Sequence, residues 1–183
     1  MKSNHKYLKE NNSKDAMEIL IYLLVMVTSF LGLLMGIITS NMAIEEITYA
    51  SKYLKYLNLI LVPLIVFIAT FEIHKVYSII FASITLIALI LSREKYNDAW
   101  TYASVGALLY LATIGQEILT VATLIFVYGV SIATINASIH FKKKVSGQIR
   151  FTENISLVKK ILGKYSYYLF VGIIFFVVFS YIL

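Results

Sequence analysis

Long apolar runs alternate with short polar breaks along the whole chain. Six runs stand out, at 16–40, 54–71, 76–91, 99–114, 118–139 and 165–183. Within them Ile, Leu, Val, Phe and Ala recur at every helical position. A helix built from such a run is apolar all round, and it must sit in lipid or among other helices. A membrane span needs about 20 residues, with a range of about 17–25. The first and fifth runs meet that length. The second, third and fourth fall near its lower limit and need a turn from their flanks, as at Asn97-Asp98, where Asn97 suits an N-cap. The pattern predicts an all-α, polytopic helical membrane protein with about six transmembrane helices joined by short hairpin turns. Five spans is the alternative count, if one short run does not cross. Residues 16–183 form a single transmembrane domain. Residues 1–15 have no apolar periodicity and are expected to form a polar N-terminal tail.

Composition sharpens this picture. The chain is 60% hydrophobic, and only 14% of its residues are charged, against about a quarter in soluble domains. There is no Cys, which excludes disulfides, thiolate metal sites and thiol catalysis. A single Pro, Pro63, allows a kink in the second run, where Asn58 offers a local polar site. The first run is too long for the apolar region of a secretory signal, so it is expected to be a retained helix. Aromatic residues gather at run ends: Tyr49, Tyr53 and Tyr56; Tyr96, Trp100 and Tyr102; Tyr165, Tyr167 and Tyr168. Rings with one apolar and one polar end favour the membrane–water boundary, and these three groups are expected to form interfacial belts.

Charge gives an orientation. The loop at 141–164 holds Lys142, Lys143, Lys144, Arg150, Lys159, Lys160 and Lys164 against one Glu. The positive-inside rule places it in the cytoplasm of a cell-membrane protein, with both termini outside when six spans cross. The basic tail argues the other way. Ile155, Val158, Ile161 and Leu162 recur at helical spacing inside the loop. They predict a short basic amphipathic helix at the interface, whose lysines contact anionic lipid head groups.

Candidate chemistry is sparse. No Asp, Glu, Lys or Arg falls in the middle of a run, which argues against a carboxylate-based proton pump. No phosphate loop, zinc-protease motif or nucleophile elbow occurs. No catalytic residue, metal ligand or cofactor is assigned, and an enzyme is disfavoured. Gly32 and Gly36 form a GxxxG that would let another helix approach closely. In the fifth run Thr120, Thr123, Ser131, Thr134, Asn136 and Ser138 form a polar face, read either as a solute pathway or as a packing face. At "LATIGQEILTV" Gly115 is expected to end one helix in a left-handed conformation. Glu117 would then open the next, at the mouth of any such pathway.

Gly115-Gln116-Glu117-Ile118-Leu119, followed by Val127-Tyr128-Gly129, resembles a turn and helix of a membrane-arm subunit of NADH–quinone oxidoreductase. The tyrosine stands one place late and the flanking helices differ in number, so the family is not assigned. The resemblance implies only a subunit of a larger membrane complex. The leading expectation is a channel-like, transporter-like or solute-binding membrane protein with no catalytic centre. An accessory or assembly subunit of a membrane complex is the alternative, and a lipid-binding or lipid-modifying enzyme is a further one. The partners expected are the bilayer, anionic lipids at 141–164, and either further copies of the chain or other membrane subunits. Nothing points to nucleic acid.

Overall fold

A computed structural model describes residues 17–42, 44–91, 98–142 and 151–180. Among them the chain is almost entirely helical and has no strand. Helix α1 covers 17–30, and α2 is Gly32–Met42. Then follow α3 (Ile44–Phe71), α4 (Lys75–Leu91), α5 (Asp98–Ile114), α6 (Ile118–Lys142), α7 (Phe151–Tyr165) and α8 (Tyr167–Ser180). The Leu31 amide bonds the Val27 carbonyl and the Met35 amide bonds that of Leu31, so α1 and α2 run on as one rod. Helices α7 and α8 join in the same way at Ser166, whose carbonyl accepts from Leu169 and Phe170.

Among the described residues, four stretches are long and apolar enough to cross a membrane: Met17–Asn41, Tyr49–Phe71, Ile118–His140 and Ile155–Val178. Helices α4 and α5 have 17 residues each. At about 1.5 Å per residue they span roughly 26 Å, a little less than the roughly 30 Å of hydrocarbon. The expected count of six therefore meets four helices of full length and two short ones.

The distribution of polarity is that of a membrane protein. Large apolar side chains cover the outside, as along α4, where Ile79, Phe81, Ile84, Ile87 and Ile90 are all exposed. Water would not tolerate so wide an apolar surface, whereas lipid does. Hydroxyls bond within their own helices: Thr39 to the Met35 carbonyl, Thr70 to Val66, Thr85 to Phe81 and Ser104 to Trp100. In a solvent without hydrogen-bonding partners, that is how a polar side chain is satisfied at least cost.

Helix α6 is central. It packs on α2 and α3, while α5 packs chiefly on α8 and α3, and α4 leans on α3. A Cβ on Gly32 would strike the backbone of Phe126, and one on Gly36 the backbone of Val130. Hydrogen at these two positions lets α2 and α6 touch main chain to main chain.

Three sequence expectations are revised. Tyr102, Tyr165 and Tyr168 do not lie in an interfacial belt but are fully buried. Tyr102 stands between Tyr128 (centroids 5.9 Å apart), Tyr165 (5.5 Å) and Tyr168 (5.0 Å). Helix α5 turns this face inward, and tyrosine rings fill the space that the glycines of the other helices leave open. Tyr49, Tyr53, Trp100 and Tyr167 are exposed, Trp100 in the first turn of α5. Second, the left-handed residue at the α5–α6 turn is Gln116, with φ 59°, and no described glycine has positive φ. The Glu117 amide bonds the Ala112 carbonyl and the Gln116 amide that of Thr113, a paired helix cap closing on Gln116. Gly115 is needed for space instead, because a Cβ there would lie 2.9 Å from Cβ of Glu72 in the α3–α4 turn. Third, the basic amphipathic helix expected around 155–164 is present as α7 from residue 151, but instead of standing apart it docks through buried Leu157 and Ile161 and feeds straight into α8. Ile155, placed on the apolar face by its spacing, is exposed.

Candidate functional site

The polar face expected on α6 divides in two. Thr120 and Thr123 are exposed on the outside of the bundle, and Thr123 bonds the Leu119 carbonyl of its own helix. Towards the other end the side chains turn inward and bond neighbouring helices. Ser131 donates to the Leu54 carbonyl at 3.3 Å, and Thr134 to the Gly36 carbonyl at 3.2 Å. Asn136 donates to the Ile132 carbonyl (2.9 Å) and to the Tyr165 hydroxyl (3.0 Å). Ser138 bonds Ile135. Between the two groups lie Ile125 and Tyr128, both fully buried. Glu117 is half-buried in the turn, where its carbonyl accepts from Val121.

Of the basic residues assigned to lipid contact, Lys159, Lys160 and Lys164 are exposed on α7. The Lys164 ammonium lies 5.0 Å from the centroid of the Tyr165 ring. Lys143, Lys144 and Arg150 lie outside the described residues, as does the side chain of Lys142.

The same end of the bundle holds a cleft of about 330 Å³. Lys55, Tyr56, Asn58 and Leu59 line it from α3, Leu89 from α4, Asp98 from α5, and Ile135 and Ile139 from α6. Asn58 is only 8% exposed, yet its Oδ1 has no hydrogen-bond partner. A buried acceptor left alone costs about 1–3 kcal/mol. A second acceptor lies one residue on. Pro63 stands within α3 and has no N–H, so the Leu59 carbonyl lacks its normal helical donor.

Asp98 opens α5, one residue before the apolar part of that helix. Lys164 and Lys55 act on its carboxyl, which accepts a hydrogen bond from Asn136. The cleft thus combines a carboxylate, an amide and a lysine with apolar walls of Leu59, Leu89, Ile135 and Ile139.

Sequence reasoning missed Lys55 and Asp98. It looked for charges in the middle of spans, and both stand at span ends. Only the packing of α3 against α5 brings them together. A faint signal was present in Lys55 and Asn58, which at i,i+3 share one helix face.

Among the described residues no three His, Asp or Glu side chains gather as a metal site. Compared with protein-family models, curated proteins and solved structures, the chain has no match.

Proposed function

We propose that this chain is a six-span integral membrane protein that binds a small amphipathic ligand in the cleft between α3, α4, α5 and α6. The observation that carries this reading is the cleft itself, where Lys55, Asn58 and Asp98 stand among apolar walls. Ligand sites combine apolar walls with a few converging polar groups, and about 300 Å³ is the lower limit of their usual volume. The polar groups of the cleft stand at one end, as a ligand held at the membrane surface requires.

Binding is favoured over an open pore. The polar residues of α6 do not line one channel, and fully buried Tyr102, Leu109, Ile125 and Tyr128 fill the bundle between its ends. The six-span reading adds α4 and α5 to the four full-length helices, each drawing a turn from its flank. It puts the cleft at the end with Lys52, Lys55, Lys159, Lys160 and Lys164, away from Glu72 and Glu117. The positive-inside rule makes this the cytoplasmic end, where the lysines meet anionic lipid.

Native mass spectrometry of protein extracted in mild detergent tests the reading. The wild type should carry a bound small molecule or lipid. Ile139→Trp, which fills the cleft from an exposed position, should lose it and still fold. A wild type with nothing bound, or equal occupancy in both proteins, contradicts the proposal.

A further inference from the structure

Resting on the cleft as the binding site, we propose that its ligand is a phospholipid whose head group carries a primary amine. The phosphate would lie on Lys55, and the ammonium beside Asp98 and the Leu59 carbonyl.

The argument begins from the imbalance of donors and acceptors. Asp98 sets a carboxylate in the cleft wall, and Pro63 removes the donor due to the Leu59 carbonyl. A ligand group that meets several acceptors at once must carry several donors. A primary ammonium carries three and accepts none, whereas a quaternary ammonium has none to give. Its charge also suits the Asp98 carboxylate in the cleft wall.

The second part of the head group follows from Lys55, an exposed cation in the same wall. An ammonium alone would be repelled by it, but an ammonium joined to a phosphate matches it. The apolar walls account for the rest. Leu59, Leu89 and Ile139 continue to exposed Ile60 and Ile90, which face lipid. A cleft of about 330 Å³ has room for a head group but not for two acyl chains, which must leave sideways into the bilayer.

The test uses purified full-length protein equilibrated in micelles with equal amounts of a phosphatidylethanolamine and a phosphatidylcholine of the same chains. Native mass spectrometry reads the retained lipid. The wild type should keep the primary amine about tenfold over the quaternary one, roughly the strength of one charge-assisted hydrogen bond. Asp98→Asn and Lys55→Gln should each reduce that ratio towards one. Lys75→Gln, at the opposite end of the bundle, should leave it unchanged. Lys55 is exposed, so its variant remains informative if Asp98→Asn fails to fold. Equal retention of both lipids, lost in Ile139→Trp, overturns the amine assignment and leaves the cleft as the binding site. Retention that ignores Ile139→Trp overturns both.

Discussion

Gly32→Ala should damage the bundle, while the same change at Gly163 should help it. A Cβ on Gly32 would meet the Phe126 carbonyl group, with C at 2.9 Å and Cα at 3.0 Å. These are backbone atoms of α6, so no side-chain rotation relieves the clash and α2 itself must move. Overpacking costs about 1–3 kcal/mol, and a rigid obstacle puts this case near the upper end. Replacing Gly by Ala in a helix returns about 1 kcal/mol. The net loss is about 2 kcal/mol, roughly thirtyfold in the folding equilibrium. At Gly163 a Cβ meets nothing within 4 Å, so only the helix gain of up to about 1 kcal/mol remains. Unfolding by SDS in mixed micelles, followed by far-ultraviolet circular dichroism, compares both variants with the wild type. Equal stability of Gly32→Ala and Gly163→Ala would refute the main-chain contact between α2 and α6.

Two further outcomes follow from buried polar atoms. The Tyr102 hydroxyl is buried without a partner, whereas that of Tyr168 lies 2.6 Å from Ser29 Oγ. Tyr102→Phe should therefore be neutral or stabilising and Tyr168→Phe should cost about 1 kcal/mol, both read by the same SDS titration. Asn58→Leu should leave the ligand-free protein as stable as the wild type or more so, yet reduce retained ligand in native mass spectra. Loss of both properties together would make Asn58 a structural residue only.

How much was legible in the chain depends on what each residue reports. Apolar runs report solvent, so the helical membrane class could be read directly from 16–40, 118–139 and their neighbours. GxxxG reports spacing on one face, and Gly32 and Gly36 do touch another backbone, but nothing in the motif named α6 as the neighbour. Tyrosine is ambiguous by chemistry. Tyr49 and Tyr165 look alike in sequence, and only helix rotation sends one to the surface and the other into the core. Gly115 and Gln116 were exchanged for a similar reason, since a turn tolerates a left-handed Gln when a glycine is required next to it for space. The cleft was the least legible feature. Lys55, Asn58, Asp98 and Ile139 come from three helices, and no local pattern links residues that far apart in the chain.

Cysteine labelling tests the occupied cleft most directly, because the natural chain has no Cys to interfere. Leu59→Cys places one thiol in the cleft wall, and Tyr49→Cys places one on the exposed surface of the same helix. With a small water-soluble maleimide, the account predicts slow labelling at 59 in protein purified with its native lipids and fast labelling after delipidation, with 49 fast in both. A rate at 59 that does not change on delipidation would contradict the claim that the cleft holds a ligand.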